Sequence, residues 1–307
     1  MRLNSLTRKL RRLGITDVWF AIYTLSQRSF PGSSSSRKHI KIDDEESQYD
    51  EELLLTQHHP IYRAMIRLLY IVMPLILFLL SIAYIIYRPP NLVIRLLQWH
   101  NGNVIFHVPL SASQRVVALT IDDAPSSETR QILDLLRSHH AKATFFVIGS
   151  QVAQYPGLVE RIHAEGHELG NHAWTDDPSF QLPLSELERQ VQDVESLLPA
   201  NANGAKYFRP GSGWFTARMK ERIEKLGYRI ALGSVYPHDP QIPKPRWNAW
   251  HVLSMVRPGS VVIMHDRRAY SAEQLRLILE GLAKRKFEVE SLGGLLALAG
   301  QKGKRLA

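Results

Sequence analysis

The 307-residue chain contains no cysteine. Disulfides and thiolate chemistry are therefore excluded, and any metal site must be built from His, Asp or Glu. The compartment stays open, because many exported domains fold without disulfides. Acidic residues are the scarcer charge, with 29 Asp and Glu against 38 Lys and Arg and a formal net charge of +9. That balance suits acidic partners such as phospholipid headgroups. Zinc-finger spacing, a basic zipper and an aromatic RNA-binding signature are missing, so nucleic acid is not expected as a partner. The length suffices for one large domain or two small ones.

One stretch departs from this average. Residues 68–87, LLYIVMPLILFLLSIAYIIY, carry no charge, and twenty such residues match the thickness of a bilayer core. Arg63, Arg67 and Arg88 flank it, and Tyr70, Tyr84 and Tyr87 suit the interfaces. The run is too long and starts too late for a cleaved signal peptide. A single transmembrane helix is expected here. Residues 1–67 read as a basic, partly disordered segment. Within it, SLTRKLRRLGITDVWFAIYTL fits either a basic helix on a membrane surface or a solvated tail. PGSSSSRKHIKIDDEESQYDEE is polar, serine-rich and block-charged, so disorder is expected. The excess of Lys and Arg before the span places the N-terminus in the cytosol and the remainder on the exoplasmic or lumenal side. Residues 88–112 read as a linker and edge segment, and 113–300 as the catalytic domain.

Beyond residue 101, apolar runs alternate with helix-length amphipathic patterns. Strands are predicted at 116–122, 143–149, 167–174, 206–209, 228–233, 261–266 and 287–291. Helices are predicted near 128–140, 151–165, 185–198, 216–226, 247–256 and 271–286. Ser185 and Glu188 form a capping-box pattern, and Gly166 and Gly227 sit where helices should stop. Repeated strand–helix units imply parallel strands and a distorted (β/α) barrel of about seven units. In such folds the chemistry lies at the C-terminal strand ends.

The strand ends carry unusual residues. The first, LTIDDAP, closes on Asp122 and Asp123. Two adjacent carboxylates repel, the more so in a low dielectric, and a cation beside them removes the difficulty. The third ends in His172 with Asp176 and Asp177 just beyond; His172 and either Asp could converge with Asp123 on one cation, zinc or another divalent transition metal. The fourth ends at Arg209, Asp239 follows the fifth, and the sixth ends at His265. A single Asp or His at a strand end is usually a turn residue or a satisfied polar group, and a double Asp before Pro can be turn chemistry. Their joint placement favours a site. HELGNH is not a zincin motif, since its two histidines are five apart rather than four.

These residues, in this order, resemble the polysaccharide deacetylase family (NodB-homology domain, carbohydrate esterase family 4) over residues 113–300. LTIDDAP is similar to the family's Thr-Phe-Asp-Asp-Gly, GHELGNHAWTDD to His-Ser/Thr-x-x-His, and FRPGSG to Arg-Pro-Pro-Tyr/Phe-Gly. SVYPHDP resembles the fourth motif, centred on an Asp, and VVIMHD resembles Leu-x-His. The resemblance implies a NodB-type barrel and a divalent ion, Zn2+ foremost, held by Asp123, His172 and Asp176, with Asp177 as fallback. It further implies Asp122 as catalytic base, Arg209 as its tether, Asp239 as the acid behind that Arg, and His265 as general acid. A backbone N–H near Gly211 or Ser212 would hold the oxyanion. Four departures stand out: Asp176 for a His, Gly211 and Ser212 for a Pro and an aromatic, Ala124 for a Gly, and Pro240 for a Trp. Trp174, Trp214 or Trp247 could supply a sugar-stacking face instead.

The combined expectation is a membrane-anchored, metal-dependent hydrolase removing acetyl groups from an N-acetylated amino-sugar polymer, chitin-like first and wall glycan second. Two rivals share the scaffold: a carbohydrate-binding pseudoenzyme and a hydrolase of small cyclic amides.

Overall fold

The computed structural model describes the backbone of residues 43–305 and the side chains of residues 64–300. The two readings of residues 5–25 lie outside the described residues. Helix α1 spans Asp43–Tyr87. It therefore begins inside the segment expected to be disordered, where acidic residues favour a helix N-terminus. Its portion Ala64–Tyr87, 24 residues of mean hydropathy 2.6, is long and apolar enough to cross a bilayer. The next segment is not a plain linker. After Pro89 and Pro90, helix α2 runs Asn91–Asn101 and buries Ile94.

Seven strands follow, and all seven predicted ones are present, most of them shorter than expected. They are β1 Val116–Ala124, β2 Ala143–Val147, β3 Glu168–Asn171, β4 Tyr207–Phe208, β5 Arg229–Ile230, β6 Val261–His265 and β7 Glu288–Glu290. All pair in parallel, in the order β5-β4-β3-β2-β1-β6, with β7 beside the start of β1. β1 is buried along its whole length, as expected of a central parallel strand covered on both faces. The barrel is incomplete. Among the described residues, β5 and β6 do not pair, and isolated bridges Ile105–Ala231, His107–Ser260 and Val235–Val262 span the gap.

The helices follow the amphipathic pattern. Helix α3, Thr129–Ser138, buries Thr129, Ile132, Leu133 and Leu136, one face at helical spacing. The helix predicted at 151–165 is two, α4 Gly149–Val152 and α5 Leu158–Ala164. The Pro156-Gly157 pair between them is a turn signal, and Gly157 takes φ +76°. Gly166 and Gly227 adopt φ +76° and +82° just past helices, the role expected of them. Helix α6, Leu184–Glu195, starts two residues earlier than the capping box requires, with Pro183 as its cap. Glu188 instead accepts a hydrogen bond from Arg222. Helices α7 Ala217–Lys225, α8 Pro245–Met255 and α9 Ser271–Lys284 match expectation. The C-terminal helix α10, Leu292–Arg305, does not, since its glycines hid it.

Candidate active site

The site begins with an irregularity in β1. Ile121 pairs with Phe145 and Ala124 with Val147, so two residues of β1, Asp122 and Asp123, stand opposite the single Phe146. This is a β-bulge, and Asp123 takes the left-handed φ of +63° that Asp tolerates better than most residues. The regular alternation of a strand would send the two carboxylates to opposite faces; the bulge brings both to one end. Asp122 is in register with His265 on β6.

Arg209, buried beyond β4, reaches across to Asp122. Its Nη1 donates to Asp122 Oδ1 at 2.5 Å and to Thr120 Oγ1 at 2.8 Å. Its Nε and Nη2 donate to the carbonyls of Ala231 and Leu232 at 2.9 and 3.0 Å, and the guanidinium lies 4.1 Å from the Phe146 ring centre. Asp122 Oδ2 faces His265 Nε2 at 3.9 Å.

Asp239 does not stand behind Arg209. Its Oδ1 accepts from His265 Nδ1 at 2.8 Å, and its Oδ2 accepts from the His265 backbone N–H at 2.9 Å and from Gln274 at 3.1 Å. The expectation assigned this acid to the wrong cation because sequence order alone cannot tell which strand end the β5–α8 loop folds over. Burial disfavours the imidazolium of His265, but the hydrogen bond and charge of Asp239, with Asp122 and Asp123, outweigh it and raise its pKa to about 9.

Asp123, His172 and Asp176 form the one group among the described residues that could hold a metal ion, their ligand atoms all within 4.8 Å of one another. Three features test the fit. Asp123 Oδ2 is buried with no hydrogen-bond partner, an orphan that a cation would satisfy. His172 Nδ1 donates to the Arg209 carbonyl at 2.7 Å, which fixes the tautomer and leaves Nε2 with a free lone pair, as a ligand requires. That Nε2 faces Asp123 Oδ1 at 3.8 Å. Burial raises the Asp123 pKa; His172 and His265 oppose that, while Asp176 and Asp122 add to it. A cation would reverse the balance. The donor set of one nitrogen and two carboxylates suits zinc or another divalent transition metal. Asp177 is not in the group. It accepts from Thr175 Oγ1 at 2.6 Å, and its carbonyl lies where a Cβ on residue 211 would be, 2.2 Å away. That contact explains glycine at 211.

Several residues escaped the sequence analysis. Asp266, fully buried, accepts from Ser126 Oγ at 2.6 Å and from Thr129 Oγ1, tying the loop after β6 to the loop after β1. Arg267 and Arg268 bring Nη2 atoms to 4.0 and 3.8 Å from Asp123 Oδ2, and Arg267 lies 3.8 Å from Asp176. The run HDRR directly after a strand end was the available signal. Of the three tryptophans considered as a sugar platform, Trp174 packs against the Gly149 backbone, Trp247 donates to Tyr87 OH at 3.1 Å, and Trp214 is largely exposed just past the Gly211–Gly213 turn.

Comparison with known proteins agrees with this fold. The family model described as polysaccharide deacetylase matches residues 110–231. The chain is 31% identical over 201 residues to a peptidoglycan-N-acetylglucosamine deacetylase of Bacillus cereus, covering 64% of this chain and 93% of that one. It is 34% identical over 203 residues to the corresponding enzyme PgdA of Listeria monocytogenes, of whose length it spans only 42%. A solved structure from Bacillus anthracis, described as a pseudoenzyme of carbohydrate esterase family 4, superposes with a TM-score of 0.56 at 25% identity, covering 63% of this chain and 68% of that one. The family model ends before Asp239 and His265, so their place in the site rests on the geometry above.

The ligand set makes a direct prediction. Asp176→Ala should lose most bound metal, measured by elemental analysis after loading with zinc, while Asp177→Ala should keep it. Equal metal content in the two variants would refute the assignment.

Proposed function

Because the chain belongs to the polysaccharide deacetylase family, we propose that it is a hydrolase removing N-acetyl groups from an amino-sugar glycan. The observation that carries this reading is the double pairing Arg209–Asp122 and Asp239–His265, with Asp122 and His265 3.9 Å apart beside the Asp123–His172–Asp176 group. Hydrolysis of an amide needs a proton taken from water and a proton given to the departing amine. Asp122, hydrogen-bonded to Arg209, is suited to the first task. His265, held protonated by Asp239, is suited to the second. A divalent ion held by Asp123, His172 and Asp176 would supply Lewis acidity to the acetamide carbonyl. The Gly211 N–H is already donated to Ser179 Oγ at 2.9 Å, which leaves the Ser212 N–H as the backbone donor toward a developing oxyanion. Trp214, exposed beside that turn, is the candidate sugar platform.

The names of the two peptidoglycan relatives put wall glycan ahead of chitin as substrate. A carbohydrate-binding pseudoenzyme remains the rival, since one neighbour in fold carries that description. Binding alone, however, has no use for a base and an acid each held by its own buried counter-charge. Anchoring through Ala64–Tyr87, with the catalytic domain exoplasmic or lumenal, completes the proposal; protease reaching residues 88–307 only from the cytosolic side of sealed vesicles would refute that orientation. The deciding experiment is acetate release from wall glycan and chitin oligomers, with and without chelator. Glycan binding without acetate from any substrate would favour the pseudoenzyme.

Two further outcomes separate the roles. Asp122→Asn should retain metal and lose roughly two to four orders of magnitude in turnover, the usual worth of a positioned proton acceptor, whereas Asp123→Asn should lose metal and activity together. His265 is competent as an acid only while protonated, so activity should fall as pH rises through its pKa. Removing the neighbouring anion in Asp239→Asn lowers that pKa. The alkaline limb of the pH–rate profile should therefore move to lower pH by roughly one to three units; an unmoved limb would show that His265 is not the titrating acid.

A further inference from the structure

Helix α2 exposes what a soluble helix would bury. Leu92, Leu96 and Trp99, spaced i, i+4 and i+7, form one apolar stripe, and Trp99 is 82% exposed. The opposite side is held by Gln98, which donates to the carbonyls of Gly102 and Val104 and accepts from the N–H groups of Phe106 and His107. The stripe is therefore presented outward by a fixed helix and not by a fraying one.

Beside the stripe lies a cavity of about 600 Å³ whose lining includes Arg95, Trp99, His107, Leu110 and Arg257. Burial disfavours the charged form of Arg257, and the charge of Arg95 adds to that. The same two arginines, after burial, hold the His107 pKa down to about 4. No acid offsets them locally. Residues 88–121 and 240–265 contain basic residues and, before Asp122 and after Asp239, no Asp or Glu at all. Two cations share a half-open apolar cavity whose lining contains no acidic residue.

Position supplies the occupant. Only residues 88–90 separate the apolar helix portion Ala64–Tyr87 from Asn91, and a fully extended chain of that length reaches about 14 Å. A stripe of Leu and Trp with arginines at its side, that close to the end of a span, has the composition of an interfacial helix. We propose that α2 lies in the bilayer surface with Leu92, Leu96 and Trp99 among the acyl chains, and that the Arg95–Arg257 cavity binds the phosphate of an anionic phospholipid headgroup. This rests on the reading of Ala64–Tyr87 as a membrane span.

The absence of cysteine makes a clean test. Single variants Leu96→Cys, Trp99→Cys and, as control, Glu160→Cys are labelled with an environment-sensitive fluorophore in the full-length protein, then reconstituted in vesicles of neutral lipid with or without phosphatidylglycerol. Glu160 is exposed on α5, which helices α9 and α3 separate from α8. Acyl-chain-brominated lipid should quench the labels at 96 and 99 and spare the one at 160. Quenching should deepen with phosphatidylglycerol, and Arg95→Gln with Arg257→Gln should abolish that dependence. Labels at 96 and 99 quenched no more than at 160 would overturn the docking. Quenching indifferent to anionic lipid would overturn the headgroup site. Alkaline carbonate extraction of unlabelled protein tests the span separately: release from the vesicles refutes the span, whereas retention without quenching refutes only the docking.

Discussion

Arg209 is the residue on which the site depends. Its guanidinium is buried, so each N–H must be paired, and each bond joins a different part of the barrel. Two go to Asp122 and Thr120 on β1, two go to the carbonyls of Ala231 and Leu232 past β5, and the plane rests on Phe146 of β2. The backbone carbonyl of the same residue accepts the Nδ1 proton of His172. A single position thus holds Asp122 in place and sets the tautomer of His172. Breaking such a buried pair by removing one partner costs about 3–5 kcal/mol, so Arg209 binds the stability of the barrel to the competence of the site.

Around that pair the charges are arranged in opposition. Asp122 and Asp239 each have a dedicated hydrogen-bonding partner, Arg209 and His265. Asp123 has none for its Oδ2, and the nearest cations, Arg267 and Arg268, stay at 4.0 and 3.8 Å, outside hydrogen-bond range. The carboxylate left unpaired is the one grouped with His172 and Asp176. The family's usual second His would add no charge there; Asp176 adds one, which should hold a cation well while making it a weaker Lewis acid. Arg267, 3.8 Å from Asp176, partly offsets that extra charge.

The parts legible in the sequence were those with a local cause. Apolar runs ending in Asp, His or Arg located the strand ends, because a parallel strand buried on both faces is apolar until it emerges. The convergence of Asp123 and His172 with Asp176 or Asp177 followed from treating those ends as one surface, and the family resemblance singled out Asp176. What failed had a non-local cause. Asp239 was paired with Arg209 rather than His265 because the loop after β5 can fold toward either residue, and sequence order does not decide between them. The bulge at Asp122–Asp123 is visible only against the register of β2. Ser185 and Glu188 made a formally correct capping box that Pro183 pre-empted. Asp266 falls at the end of the predicted strand 261–266, yet its two hydroxyl donors, Ser126 and Thr129, come from the segment that follows β1.

The apolar helix and the candidate site meet in one loop. Tyr87, last residue of α1, accepts from His238 Nε2 at 2.9 Å through its carbonyl and stacks on the His238 ring at 4.6 Å between centroids. Its hydroxyl takes the Trp247 N–H, and Arg88 donates to the Ser254 carbonyl at 3.1 Å. His238 itself holds a left-handed φ of +60° and directly precedes Asp239. The residue that tunes the His265 imidazole is thus one peptide bond from the residue clamped by the helix end. Sequence order hid this, since 151 positions separate Tyr87 from His238. A flexible tether would have needed no such contacts. Stacked rings and side-chain hydrogen bonds at this junction instead make the end of the apolar helix part of the wall that positions Asp239, so a change at Tyr87 reaches His265 through only two residues, His238 and Asp239.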